Sequence, residues 1–353
     1  PTPENIRNAG IKAIRDGHTR YTHGSGLLSL REAVCTKLYR DNHLSFSPND
    51  ILVSCGGKHS LFNACMALFQ TGDEVIVFSP YWVSFPDFVS VTGAKPVIVS
   101  TDSTRQYEPV FEDLERKITS KTKGIIINSP SNPTGGVWSD DAIKQTLAIA
   151  EKYDLWVFSD ECYEQLTYEI PFKSIATFAP TNKKILTFQS CSKTYAMTGW
   201  RIGYTAGEAN VIKAMSKLQS QSTSCPNAIG QYAAIEALTG DQSAVKQMRK
   251  KFKVRRDLMV NRLNAIDGVN CEVPFGAFYV FPDMSSYFGK NIDGKYIANP
   301  NDLAMYLLDK TSVVTVSGES FGSLNNIRFS YAASDNDLSK AMDRVEDALK
   351  LIQ

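Results

Sequence analysis

Between residues 51 and 207 the chain repeats one pattern, a short apolar run rich in β-branched residues followed by a longer stretch of helical character. The runs fall at 51–53, 75–78, 96–99, 124–127, 155–158, 185–188 and 202–204. Strands that are apolar on both faces are stable only between two layers of helix, and strand–helix–strand repeats of this length build parallel sheets. The predicted fold class is therefore α/β: a mostly parallel seven-stranded sheet sandwiched by helices. Ligands in such sheets collect beyond the carboxyl ends of the strands. Here those ends run into Gly56-Gly57, Ser79-Pro80, Asn128-Ser129-Pro130 and Asp160-Glu161.

Beyond residue 207 the pattern changes. Long helices reach to about residue 263, followed by strands at 271–273 and 277–281, a helix near Leu303, a strand at 327–330 and a last helix from Leu338. This predicts a smaller α+β domain. A chain of 353 residues, 43% of them apolar, exceeds what one compact core usually serves. The expected division is 1–25 as an N-terminal part of the small domain or an intersubunit segment, 26–240 as the large ligand-binding domain and 241–353 as the small domain.

Charge narrows the partners. Lys and Arg total 38 against 37 Asp and Glu, so no excess of positive charge exists to hold a nucleic-acid backbone. No apolar run approaches the ~20 residues needed to cross a bilayer. The ligand is expected to be small. The seven cysteines are an odd number without a C-x-x-C pair, which argues against a disulfide framework or a zinc site and for a reducing compartment, the cytoplasm or an organelle matrix. The four histidines, at 18, 23, 43 and 59, lack metal-ligand spacing.

The most specific chemistry lies in Ser190-Cys191-Ser192-Lys193 and the following Met197-Thr198-Gly199-Trp200-Arg201. A Lys in a polar loop directly after a strand can condense with an aldehyde, and Ser and Arg are natural partners of a phosphate ester. An isolated S-x-S-K reads more simply as a surface loop; the Arg eight positions later reverses that. Ser131-Asn132-Pro133-Thr134-Gly135 follows one strand and could be only a turn. Asp160 and Tyr163 follow the next, where an Asp more often caps a helix than catalyses. Together, however, the three segments provide an imine-forming amine, a carboxylate for a ring nitrogen and donors for a ring oxygen. Pyridoxal 5′-phosphate requires that set, because its ring withdraws electrons well only while the pyridine nitrogen is protonated and a buried carboxylate favours that form.

On these motifs the sequence resembles the class I aminotransferases of fold type I, and within them the branch of bacterial-type aspartate and plant prephenate aminotransferases. The marks are Tyr21-Thr22 before Gly26, Gly56-Gly57-Lys58, Ser79-Pro80-Tyr81-Trp82-Val83-Ser84, Asn132-Pro133-Thr134-Gly135, Ser159-Asp160-Glu161, the Lys193 loop and Arg328-Phe329-Ser330, spread over nearly the whole chain. The resemblance implies a ping-pong transamination with pyridoxal phosphate. It makes Lys193 the Schiff-base lysine and proton shuttle, Asp160 the partner of the pyridine nitrogen, Tyr163 and Asn132 the donors to the phenolic oxygen, and Trp82 the residue stacked on the ring. The phosphate falls to the amides of Gly57 and Lys58 with Ser190, Ser192 and Arg201, and to Tyr21 of a neighbouring subunit, so a homodimer with shared sites is implied. Arg328 is expected to grip the substrate's α-carboxylate, alongside Asn132 and Trp82. Lys58 is associated in this branch with the distal carboxylate of dicarboxylic substrates, which points to aspartate, glutamate or prephenate.

Members of this family carry some tens of residues that cover the active site ahead of the position matched by Pro1, so the native chain is expected to begin upstream. Two other readings compete. One is an aminotransferase or lyase of the same fold with another amino-acid substrate, against which Lys58 argues. The other is a cofactor-binding module without catalysis, against which both Lys193 and Arg328 argue. Cys191 and Tyr195 are read as packing residues, and Ser222 and Ser224 as marking a helix boundary.

Overall fold

In the computed structural model, which describes residues 1–292 and 295–351, eight strands form the main sheet. They are β1 (Ile51–Ser54), β2 (Glu74–Ser79), β3 (Lys95–Asp102), β4 (Glu108–Pro109), β5 (Thr122–Asn128), β6 (Trp156–Asp160), β7 (Ile185–Ser190) and β8 (Gly203–Ala206), in the order β1-β8-β7-β6-β5-β2-β3-β4. All seven expected strands are present. The addition is β4, a two-residue strand that caps the edge of β3 in antiparallel pairing. Five neighbouring strands, from β7 across to β3, pair in parallel. Strand β8 runs against both β7 and β1, so β1 shares the direction of the five.

The helices are α1 (Glu4–Arg15), α2 (Leu28–Asn42), α3 (Gly57–Leu68), α4 (Ser84–Ser90), α5 (Phe111–Lys117), α6 (Asp140–Lys152), α7 (Cys191–Thr194), α8 (Ala209–Ser222), α9 (Ala228–Thr239), α10 (Ser243–Asn264), α11 (Pro300–Thr311) and α12 (Asp335–Lys350). Alternation along the strands decides which layer each residue serves. Val53, Ile76, Ile125, Ile127, Val157 and Ile185 pack toward α2, α6 and α9, whereas Leu52, Val75, Val77, Ile126, Phe158 and Leu186 pack toward α3, α4 and α8. Both faces are covered, as strands without a polar face require.

The small domain has a core of its own around β9 (Tyr279–Val280), β12 (Val316–Ser317) and β13 (Ile327–Ser330), with α11, α12 and the second half of α10 packed on them. Strands β10 (Lys290–Ile292) and β11 (Lys295–Ile297) pair in a separate two-stranded sheet that buries Ile292 and Ile297 in the same core. Two expectations are corrected here. Residues 271–273 form no strand; Asn270 makes one isolated bridge to Asp283, and the Cys271 backbone is held by the Asn264 side chain instead. The apolar run at 277–281 is a strand only at Tyr279–Val280. Helix α1 lies on α9 and buries Ile6 in the large core rather than in the small one. The seam between the two cores passes through α10, where Val245 belongs to the first and Phe252, Met259 and Leu263 to the second.

Candidate active site

One edge of the sheet gathers the polar strand ends. Strands β1, β2, β5, β6 and β7 all finish there, and β8 begins there because it is reversed, so Arg201 arrives beside residues that are distant in sequence. Register fixes the neighbours: Asn128 pairs with Asp160, and Gly203 pairs with both Ser54 and Ser190. Beyond this edge lies a cavity of about 350 Å³. Its walls include Gly57, Lys58, Trp82, Asn132, Asp160, Tyr163, Ser190, Ser192, Lys193, Arg201 and Arg328, eleven of the twelve residues singled out from the sequence. The twelfth, Tyr21, is 88% exposed and does not line the cavity of its own chain.

Close backbone approach builds the end of the cavity beside α3. Gly56 has φ +89°, and a Cβ there would meet Arg201 Nη2 at 2.3 Å. A Cβ on Gly203 would lie 2.2 Å from the amide nitrogen of Gly57. These glycines bring the amino terminus of α3, with its unpaired N–H groups and the positive end of its dipole, against the Ser190 loop. The Ser190 hydroxyl accepts from the Ser192 amide at 3.0 Å and donates to Ser192 Oγ at 2.8 Å. Arg201 donates through Nη1 to Thr198 O at 2.8 Å and through Nη2 to Cys55 O at 3.3 Å, which orients the guanidinium beside the same seat. Amides, hydroxyls and a guanidinium on one spot suit an anion with several oxygens.

Asp160 ends β6 and is only 6% exposed. One carboxylate oxygen accepts from the Cys162 amide at 3.1 Å, and no cation among the described residues pairs with it. Burial, aided by the neighbouring Glu161 charge, pushes the carboxyl up to about 7 against the help of that amide. A carboxylate so placed favours a cationic partner. The Lys193 ammonium stands 5.4 Å from the centre of the Phe278 ring and is held by no carboxylate among the described residues. Tyr163 is buried, and its hydroxyl shares a hydrogen bond of 3.0 Å with that of Tyr279.

The small domain supplies Tyr279 and Arg328 from adjacent strands, since Ser330 pairs with Tyr279 across β13 and β9. Arg328 donates from Nη1 to Asn132 Oδ1 at 2.9 Å, and its guanidinium lies between the rings of Tyr279, at 4.6 Å, and Phe321, at 4.8 Å. Its buried Nε has no partner among the described residues. Lys58 projects its ammonium 4.9 Å from the Trp82 ring, whose edge contacts with Phe85 and Phe88 fix its tilt.

Sequence reasoning missed Asn128 and Tyr279. Asn128 lines the cavity, donates to the Asp160 carbonyl at 3.1 Å and accepts from the Asn132 amide at 2.9 Å, tying the two strand ends together. Its signal was present, a polar residue closing an otherwise apolar strand. Tyr279 carried none, because it sits within an apolar run. The residues read as packing behave so: Cys191 is fully buried, and the buried Tyr195 reaches Gln242 at 3.2 Å. None of the four histidines lines the cavity.

One cavity thus gathers a lysine amine, a buried carboxylate, an anion seat at a helix start and an arginine from the small domain, a set suited to group transfer. The family model for class I and II aminotransferases matches residues 1–345, and the chain belongs to that family. It is similar to the probable aspartate/prephenate aminotransferase of Rickettsia conorii, 43% identical over 99% of this chain and 88% of that one. Its fold is similar to the crystal structure of the aspartate aminotransferase from Rhizobium meliloti, with a TM-score of 0.96 and 40% identity over 100% of this chain and 89% of the other. It is also similar to the aspartate aminotransferase from Thermus thermophilus with maleate, with a TM-score of 0.92 and 39% identity over 98% of this chain and 88% of that one.

Proposed function

We propose that this aminotransferase moves the amino group of a dicarboxylic L-amino acid, aspartate or glutamate, to a 2-oxo acid, prephenate among the acceptors, with pyridoxal 5′-phosphate as the carrier. The carrying observation is the convergence of Lys193, Asp160, Arg328 and Lys58 on one cavity: an amine, a carboxylate without a cation partner among the described residues, and two further cations. The names of the Rickettsia and Rhizobium relatives support the substrate class, as does maleate, a four-carbon dicarboxylate, in the Thermus enzyme.

The residues present fit the cofactor. When bound, pyridoxal phosphate supplies an aldehyde for an amine and a ring that accepts electron density from the substrate's α-carbon. Asp160 keeps the ring nitrogen protonated by charge pairing. Asn132 and Tyr163 would hold the phenolic oxygen, Trp82 would cover the ring, and the amides of Gly57 and Lys58 with Ser190, Ser192 and Arg201 would take the phosphate. Arg328 binds the α-carboxylate through its planar fork, already oriented by Asn132, Tyr279 and Phe321. That grip would turn the α C–H toward Lys193, whose amine would take the α-proton and deliver it to the carbon that carries the cofactor's aldehyde. Lys58 meets the distal carboxylate. Tyr21, exposed on its own chain, completes the phosphate site of a second copy in a homodimer. Seven free cysteines suit a reducing compartment, the cytoplasm or an organelle matrix.

The test is the visible absorption of the purified chain with pyridoxal phosphate, before and after L-aspartate or L-alanine. A lysine-bound cofactor band that aspartate bleaches faster than alanine is the expected result. A band indifferent to aspartate and glutamate overturns the substrate class, and no band at all overturns the cofactor.

A further inference from the structure

Behind the sheet edge, on the α2 side, lies a buried polar cluster with no part in the chemistry above. Lys37 on α2 is 1% exposed and forms an ion pair with Glu164. Its ammonium also donates to Asn42 Oδ1 at 2.8 Å and to Gln189 Oε1 at 2.7 Å, while Asn42 Nδ2 donates to the other Glu164 oxygen at 2.8 Å. Gln189 Oε1 further accepts from the Tyr204 hydroxyl at 3.0 Å, and its Nε2 donates to Glu161 Oε2 at 3.0 Å and Asn42 Oδ1 at 3.3 Å. Glu161 Oε1 accepts from Ser159 Oγ, Ser174 Oγ and the Ile175 amide at 2.8, 2.7 and 3.1 Å.

Stability alone is a poor reason for this arrangement, because apolar residues of the same volume usually serve a core as well or better than a buried ion pair. What the cluster touches is more telling. Gln189 directly precedes Ser190, and Glu161 directly follows Asp160. Side chains alternate across a strand, so locking Gln189 behind the end of β7 fixes the direction in which Ser190 points in front, and Glu161, just beyond β6, is anchored by its amide on Phe188 O at 2.9 Å, which holds the backbone leaving Asp160. Both the oxygen and the nitrogen of the Gln189 carboxamide are engaged, each in two hydrogen bonds, which holds its rotamer.

We propose that Lys37 is a positioning residue for the active site: through Gln189 and Glu161 it fixes the strand ends that aim Ser190 at the cofactor phosphate and Asp160 at the ring nitrogen. This rests on the cofactor reading above. Lys37 touches neither cofactor nor substrate; it orients the groups that do.

The experiment compares the full-length chain with Lys37→Met, with the double variant Lys37→Met/Glu164→Met and with Tyr204→Phe. Each is stripped of cofactor, its melting temperature is measured, and it is titrated with pyridoxal 5′-phosphate by visible absorption and circular dichroism. Lys37→Met alone strands a buried carboxylate and loses stability. The double variant removes both charges and is expected to regain the melting temperature while binding the cofactor roughly tenfold more weakly. A double variant with restored stability and an affinity weakened by less than about threefold would overturn the proposal. Should the double variant stay unstable, Tyr204→Phe decides, since it removes one hydroxyl and no charge. Its bound cofactor must show a weaker circular dichroism band, the signature of a less fixed ring, and an unchanged band is the contrary result. A wild-type chain that gains no lysine-bound band ends the cofactor reading itself and this proposal with it.

Discussion

The Asp160 carboxyl is buried with no cation among the described residues beside it. It is pushed up to about 7 by burial, well above the value of about 3.9 for an exposed aspartate. In the cofactor-free protein the folded state therefore holds the proton more tightly than the unfolded chain. The resulting stabilisation is complete below about pH 4 and is lost as pH rises through about 7, an effect on the order of 4 kcal/mol at most. Asp160→Asn should accordingly melt at a higher temperature than wild type at pH 8 in the absence of cofactor, with the gap closing toward pH 4; parallel melting curves across that range would refute it. A pyridinium beside the carboxylate reverses the sign, so the same variant should bind pyridoxal phosphate more weakly. Lys58 is tested by selectivity. Removing a charged hydrogen-bond donor in Lys58→Ala is expected to lower kcat/KM for aspartate by roughly ten- to hundredfold, and for alanine by much less. Equal losses for both substrates would remove Lys58 from the distal carboxylate.

At the level of elements, the site depends on how closely α3, β7 and β8 approach one another. Gly203 sits between Ser54 and Ser190, and a methyl group there meets the backbone of Gly56 and Gly57 within 2.7 Å. Backbone cannot swing aside as a flexible side chain can. Gly203→Ala should therefore destabilise the fold by about 3 kcal/mol or more and weaken cofactor binding as well, because the helix start and Ser190 move apart. Urea denaturation read by far-ultraviolet circular dichroism measures the first effect. A midpoint within experimental scatter of wild type would mean that the sheet edge relaxes more easily than its packing indicates.

At the level of the molecule, the cavity belongs to neither domain alone. The large domain contributes the residues proposed to hold the cofactor and the small domain Arg328, and direct bonds cross the seam, among them Arg328 to Asn132 at 2.9 Å and the Tyr81 amide to Phe321 O at 3.0 Å. A third contribution is expected from a second copy through Tyr21. If so, Lys193→Ala and Tyr21→Ala chains complement each other. Each homodimer is impaired at both sites, whereas the mixed dimer has one site with its own Lys193 and the partner chain's intact tyrosine. Activity of the mixture above that of either parent, measured after subunit exchange, is the expected outcome. Strict additivity of the two parents places Tyr21 outside the neighbouring site.

The amino-acid sequence determined the layers of this protein and most of the polar groups that line its cavity. Doubly apolar strands can only be buried between helices, and the polar residues that end them must lie together at one sheet edge. The Lys193 loop, Asp160 and Asn132 were legible for that reason, and the family resemblance added Arg328 and the division of roles. Only the tertiary structure decided the rest. Tyr279 faces the cavity because β13 pairs with β9, a register that an apolar run does not reveal. Residues 271–273 look like a strand but have none of the ladder partners that define one, since a strand is a property of two chain segments. The link from Lys37 to Ser190 and Asp160 joins positions more than a hundred residues apart in sequence. Local propensity and periodicity carry no information about such contacts, which arise only when packing brings distant elements side by side.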